Sequence, residues 1–160
     1  MPRWVRYSLG LLSAAGLFSS AYLTIAHFDT KVTLACPSTA LINCERVTTS
    51  PESYFFGVPV ALLGLLFYAA FATINFPQAF KVKRLENVRL AMASLGVLFV
   101  LYLVYAELDK IGSICLWCTS VHVITFVSFL ILLYAKVTYK LPADEFSLNS
   151  AHRAASKTPN

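Results

Sequence analysis

Four cysteines in two pairs are the residues of this chain whose type and spacing could carry out chemistry. Cys115 and Cys118 form a C-x-x-C pair at the start of a long apolar segment, and Cys36 and Cys44 form a C-x7-C pair in a polar loop. Two residues between cysteines place both sulfurs on one face of a helix, close enough to cycle between dithiol and disulfide. The pattern therefore indicates electron transfer by thiol–disulfide exchange.

The C-x-x-C pair shares one face of a predicted helix with a histidine. At about 100° per residue, Cys115, Cys118 and His122 fall on the same side of that helix. Cys115 lies near the helix N-terminus, whose partial positive charge stabilises a thiolate, so we expect thiol exchange there. Cys118 lies one turn deeper, where it would meet a lipid-soluble electron acceptor. His122 could donate a hydrogen bond to a quinone carbonyl or relay a proton, or it could bond a neighbouring backbone carbonyl.

The same cysteines also have structural interpretations. The C-x-x-C pair could be an inert disulfide or two buried packing thiols, and the loop pair could close its loop as a structural disulfide. C-x-x-C is also half of a zinc site, but C-x7-C lies outside the usual spacing of the other half. We favour a relay between the two pairs and expect no metal.

The apolar residues form blocks that are too long for a soluble core. Of the 160 residues, 58% are hydrophobic and 13% are charged, and uncharged runs cover 7–28, 53–80, 90–106 and 111–135. A helix needs roughly 20 residues to cross the hydrocarbon, and continuous rather than alternating runs exclude a barrel. The sequence therefore predicts an all-α integral membrane protein, a four-helix bundle with spans at about 6–28, 55–77, 88–107 and 113–136.

The connections between these spans differ in what they could contribute. The loop 29–53, between the first and second helices, is the longest and carries Cys36 and Cys44, whereas 107–112 is expected to be a tight outer turn without chemistry. Residues 1–140 form the predicted membrane domain, which leaves no room for a separate soluble domain. The polar segment 141–160 is expected to be a disordered cytoplasmic tail. A soluble redox partner would then be a separate protein.

The distribution of basic residues predicts the orientation in the membrane. Most of the 13 lysines and arginines precede the first span, separate the second from the third, or follow the fourth. By the positive-inside rule, both termini are cytoplasmic and both cysteine pairs lie on the outer side. Disulfides form in the bacterial periplasm and in the endoplasmic reticulum lumen, and we favour the bacterial inner membrane. The net charge of +5 reflects this topology, and nucleic-acid binding is not expected.

The order of the motifs resembles that of the vitamin K epoxide reductase family over about residues 5–136. The resemblance rests on Cys36-x7-Cys44 followed by Arg46-Val47 and Ser50, then Phe56-Gly-x-Pro59, then Cys115-x-x-Cys118 at the last helix. It implies a four-helix bundle in which the C-x-x-C pair reduces a bound quinone, while the loop pair brings electrons from a thioredoxin-like partner.

The same resemblance implies a role for each cysteine. Cys118 would lie beside the quinone, and Cys115 would be the cysteine that links transiently with the loop. Cys44 would attack Cys115, and Cys36 would exchange with the partner.

Three further residues are candidates for quinone binding or proton relay. Ser50 matches the loop serine of the family, Phe56 is one of several aromatics near the second span, and His122 matches a polar position that faces the quinone. Animal members that recycle vitamin K carry tyrosine at the position of His122, which counts against epoxide reduction. Ser50 could instead cap the second span or order the loop.

The resemblance implies a bacterial-type member without a fused thioredoxin-like domain. Such a protein passes electrons from a separate thioredoxin-like or DsbA-like partner through the two cysteine pairs to ubiquinone, menaquinone or a vitamin K type quinone, and supports disulfide formation. Two alternatives are a vitamin K quinone or epoxide reductase, and a non-enzymatic four-span protein with structural disulfides. The DsbB type is set aside because it carries its C-x-x-C on the loop after the first span.

Overall fold

Four long helices make up most of the chain, and short elements connect them. The computed structural model describes residues 2–29, 31–39, 41–82 and 84–155. The long helices are α1 (Arg3–Phe28), α3 (Val60–Ile74), α4 (Arg84–Tyr105) and α5 (Leu116–Ala155). The connecting elements are the short helix α2 (Cys44–Thr48), strands β1 (Tyr54–Phe55) and β2 (Val58–Pro59), 3-10 turns at Pro51–Ser53 and Pro77–Lys81, and a π-helical turn at Ala106–Ile111.

Three helical segments in the described part of the chain are long and apolar enough to cross a membrane. They are Arg3–Phe28, Leu85–Ile111 and Leu116–Tyr139. Helix α3 is apolar but has 15 residues, which at about 1.5 Å per residue span about 22 Å of a hydrocarbon layer about 30 Å thick. The predicted helical membrane architecture is confirmed in outline, with three helices of spanning length and a shorter fourth helix.

The helix within the predicted second span, 55–77, is shorter than that span at both ends. Its first residues form an antiparallel hairpin of β1 and β2, with Phe56 at φ 50° and Gly57 at φ 81° in the turn. At the other end, α3 stops at Ile74, whose carbonyl accepts hydrogen bonds from Nε and Nη2 of Arg89 at 2.9 and 2.6 Å. An uncharged run shows where apolar residues lie, but it does not distinguish a helix from a hairpin.

The segment for which we expected a disordered tail, 141–160, coincides largely with a helix. Helix α5 extends to Ala155, and residues 156–160 lie outside the described residues. Pro142 disfavours a continuous helix, but the alanines, Glu145 and Arg153 that follow have good helix propensity. The boundary between a membrane domain 1–140 and a tail stays a prediction.

The bundle is built around α1 and α5. Helix α1 packs against both α3 and α5, and α4 packs against α5. Gly16 brings α1 and α3 close together, because any Cβ at this position would overlap the ring of Tyr68. The main core cluster consists of Val5, Leu9, Tyr68, Phe71, Ala93, Leu132 and Ala135.

Candidate active site

The cysteine loop is joined to the start of α5 by backbone hydrogen bonds. The amide of Asn43 donates to the Ile114 carbonyl at 3.1 Å, and the amide of Ile114 donates to the Leu41 carbonyl at 2.8 Å. These bonds form a parallel bridge between Ile42 and Ile114. The bonded residues Asn43 and Ile114 immediately precede Cys44 and Cys115, so the backbone brings one cysteine of each pair to the same place.

Cys44 and Cys115 are buried together in one apolar cluster. Cys44 is 2% exposed and Cys115 is 0% exposed, and they share this cluster with Leu23, Val47 and Ile111. Cys44 begins helix α2, which is capped by the Asn43 side chain accepting from the Arg46 amide at 2.9 Å. The cap satisfies a helix-start amide and fixes the direction in which α2 leaves the bridge.

The two cysteine pairs are in different oxidation states in the structure. Cys36 and Cys44 form a disulfide with Cα atoms 6.1 Å apart, and Cys115 and Cys118 are free thiols. Cys36 is half-buried, so the outer cysteine of the loop is more accessible than Cys44. The loop pair expected from the sequence is thus a disulfide, and the C-x-x-C pair is a dithiol.

Cys115 has the environment of a nucleophilic thiol. Helix α5 begins at Leu116, and the amide of Cys118 donates to Sγ of Cys115 at 3.3 Å. The hydrogen bond with the Cys118 thiol lowers the pKa of Cys115 below its usual range, although burial and the negative charge of Glu107 oppose this. A lowered thiol pKa leaves more thiolate at neutral pH, so Cys115 keeps its nucleophilic form to lower pH than an ordinary cysteine.

A tyrosine and a tryptophan fix the chain just before Cys36. The Trp117 indole donates to the Ala35 carbonyl at 3.1 Å, and the Tyr22 hydroxyl accepts from the Ala35 amide at 3.1 Å. The Tyr22 hydroxyl also donates to the Thr33 carbonyl at 3.3 Å, and the two rings meet edge to face at 4.7 Å. Trp117 lies between the C-x-x-C cysteines, so one of the two residues that separate them also positions the loop disulfide.

A cavity of about 520 Å³ opens beside the dithiol. Its walls come from all four long helices and are mainly apolar, with a few polar groups. The polar lining includes Ser20, Ser53, Tyr68, Glu107, Cys118, His122 and Thr125. The volume and the sparse polar groups are those of a site for a small apolar molecule. Cys118 lines this cavity, and Cys115 lies behind it in the cluster with Cys44.

The three candidates that are not cysteines, His122, Ser50 and Phe56, lie in three different environments. His122 is buried and lines the cavity with Cys118, as their shared helix face predicts. Ser50 donates to the Val47 carbonyl at 2.9 Å, and its own carbonyl accepts from the Ser53 hydroxyl at 2.6 Å, so it orders the connection after α2. Phe56 is 92% exposed at the hairpin tip, and its neighbour Phe55 lines the cavity instead. The functional roles of all three residues stay predictions.

Glu107 belongs to none of the motifs or candidate sites predicted from the sequence. The expected outer turn 107–112 is largely the π-helical turn Ala106–Ile111, in which Glu107 is 7% exposed and lines the cavity. A carboxylate that directly follows an uncharged run of membrane length is costly unless it has a function. The position of Glu107 after such a run is evident from the sequence, but the orientation of its side chain toward the cavity and the dithiol is not.

A model of the vitamin K epoxide reductase family matches residues 7–133. The matched range includes both cysteine pairs, the bridge that joins them and the residues that line the cavity. It covers most of the chain.

Proposed function

Because the chain belongs to the vitamin K epoxide reductase family, as its motifs predicted, it is a membrane redox enzyme of the quinone reductase type, and we propose that it oxidises protein thiols. In this proposal, electrons enter from a thioredoxin-like or DsbA-like protein outside the membrane. They pass through Cys36 and Cys44 to Cys115 and Cys118, and then to a quinone. The enzyme would thereby support disulfide formation in the bacterial periplasm.

The observation that carries the proposal is the continuity of the thiol path. The bridge at Ile42 and Ile114 sets Cys44 beside Cys115 in one buried cluster, and Cys115 accepts the amide of Cys118, which lines the cavity. A purely structural disulfide has no need of a second, reduced pair between itself and an apolar cavity. The arrangement therefore favours a relay over a set of permanent crosslinks.

Electron entry begins at the accessible end of the loop disulfide. A thiolate of the partner attacks Sγ of Cys36, Cys44 leaves as a thiolate, and a second partner thiol resolves the mixed disulfide, which leaves the loop pair reduced. Cys44 then attacks Sγ of Cys115 in an oxidised inner pair, Cys118 leaves, and Cys36 closes the loop disulfide again. Two electrons have then moved to Cys115 and Cys118, and the pairs have the oxidation states seen in the structure.

The inner dithiol then reduces the substrate in the cavity. Cys115 and Cys118 form a disulfide, two electrons pass to the quinone, and the two thiol protons complete the quinol. The apolar walls suit a quinone ring and the start of its prenyl chain, and His122, which lines the cavity, would bond a carbonyl oxygen. Even a strongly oxidising partner with a potential of about −120 mV can be reoxidised by a quinone of higher potential.

The test is a coupled assay with the purified wild-type protein, a reduced DsbA-like partner and a short-chain quinone. We expect one quinone to be reduced for each partner dithiol oxidised, followed by quinone absorbance and by thiol labelling of the partner. Quinone loss without partner oxidation would favour a reductase driven by another donor. No quinone loss with any of several partners would favour the structural alternative.

A further inference from the structure

Glu107 is a buried acidic residue that takes no part in the proposed electron path. It lines the cavity with Cys118 and His122, and it also lines a second groove of about 380 Å³ between α4 and α5. It lies in a π-helical turn, a distortion that is rare in helices and frequent at functional sites. Its neighbour Asp109, on the same turn, is exposed beside Lys110. The turn thus directs one carboxylate inward and the other outward.

The fold also brings Glu107 to Cys115. The amides of Gly112, at φ 65°, and Ser113 both donate to the Glu107 carbonyl, so the chain reverses there and Cys115 returns alongside the π-helical turn. The Glu107 carboxylate lies against the backbone amide of Cys115, and its charge acts on the Cys115 thiol. Glu107 therefore lies beside the backbone of the buried Cys115 and also lines the cavity.

One of the two protons released when the inner disulfide forms, that of Cys115, has no direct route to the cavity. When the inner disulfide forms, two S–H bonds break, one S–S bond forms, and the quinone takes two electrons and two protons. Cys118 lines the cavity and can transfer its proton there, whereas Cys115 is 0% exposed and lies behind it. The proton of Cys115 needs a carrier that reaches both places.

We propose, on the basis of the function proposed above, that Glu107 carries the proton of Cys115 into the cavity. Its carboxylate accepts this proton as the Cys115 sulfur joins Cys118, and then releases it to the reduced quinone, so that Glu107 ends the cycle ionised as it began. Cys118 also lines the cavity, but its sulfur is taken up in the new disulfide and cannot hold the proton; the other titratable groups that line the cavity are His27, Glu52, Tyr68 and His122. None of these four is in the segment that reverses onto Cys115, so Glu107 is the group placed to take its proton.

The test compares Glu107→Gln with Asp109→Asn in the full-length protein. Glutamine keeps the size and polarity of the side chain but cannot take a proton, so we expect quinone turnover to fall about 100-fold. The KM for quinone should stay within about twofold, because binding is not affected. Thiol exchange between the cysteine pairs, measured without quinone, should be no slower than in the wild type, because loss of the negative charge near Cys115 favours its thiolate. Glu107→Asp should regain at least about tenfold in turnover, and Asp109→Asn should match the wild type.

Turnover of Glu107→Gln within about threefold of the wild type would overturn the proposal. A raised KM for quinone with unchanged turnover would also overturn it.

A second measurement needs no variant, in case Glu107→Gln does not fold. Dicyclohexylcarbodiimide, a hydrophobic reagent for protonated carboxyl groups, should modify Glu107 in the wild type during turnover, when Glu107 holds the proton of Cys115, and should stop quinone reduction without stopping thiol exchange. Modification of Glu107 with full activity would also overturn the proposal. A wild type that reduces no quinone would instead reject the proposed function itself.

Discussion

The Cys118→Ala variant is expected to lose quinone reduction by at least about a thousandfold, because it lacks the sulfur that meets the quinone in the proposed electron path. Cys118 is the cysteine that lines the cavity, and Cys115 lies behind it. In the proposed path, both a protein partner and a small dithiol such as dithiothreitol deliver electrons through this thiol. Quinone absorbance in the purified variant should therefore stay constant with either reductant.

Ser120→Ala is the matched control for this prediction. Ser120 lies on the same helix and is exposed, and its hydroxyl donates to the Leu116 carbonyl at 2.9 Å. Its removal should leave turnover within about twofold of the wild type, as is usual for exposed positions. Turnover of Cys118→Ala within tenfold of this control would mean that another group reduces the quinone.

The Cys44→Ala variant should separate the two halves of the electron path. In the proposed relay, Cys44 is the loop cysteine that attacks the inner disulfide, so partner-driven quinone reduction in this variant should fall by at least about a thousandfold. Dithiothreitol is small enough to reach the inner disulfide from the cavity, so reduction driven by this reagent should stay within about threefold of the wild type. The measurement is quinone absorbance with each reductant in turn.

Glu45→Gln serves as the control at the neighbouring, exposed position. The loop should stay in place in both variants, because its bonds to Ile114 come from backbone atoms of Leu41 and Asn43. Partner-driven turnover that survives in Cys44→Ala would show that the partner reduces the inner pair directly. Loss of both activities would show that Cys44 is needed for the shape of the site.

The parts of the structure that were predictable from the sequence are those encoded locally. The face shared by Cys115, Cys118 and His122 follows from helical periodicity, and Cys118 and His122 do line one cavity. Helix α1 begins and ends within a few residues of the predicted span, because polar residues bound an uncharged run there. The family follows from the order of the cysteine motifs, and the match over residues 7–133 confirms it.

The parts that were not predictable depend on contacts between distant segments. The hairpin before α3 is made of residues about as apolar as those of the helix. The uncharged run 53–80 therefore does not show where the hairpin ends and the helix begins. The bridge between Ile42 and Ile114 joins residues far apart in sequence and carries no motif. The inward direction of Glu107 depends on the π-helical turn and on the reversal at Gly112, neither of which apolar periodicity predicts.

The most direct test of the relay is to trap its central disulfide. In the double variant Cys36→Ala with Cys118→Ala, Cys44 and Cys115 are the only cysteines left. Mild oxidation followed by thiol labelling and peptide mass spectrometry should show a Cys44–Cys115 disulfide in most molecules. The double variant Cys44→Ala with Cys118→Ala should link Cys36 to Cys115 far more slowly. Equal rates in the two variants, or no Cys44–Cys115 link at all, would contradict a relay between the loop and the inner pair.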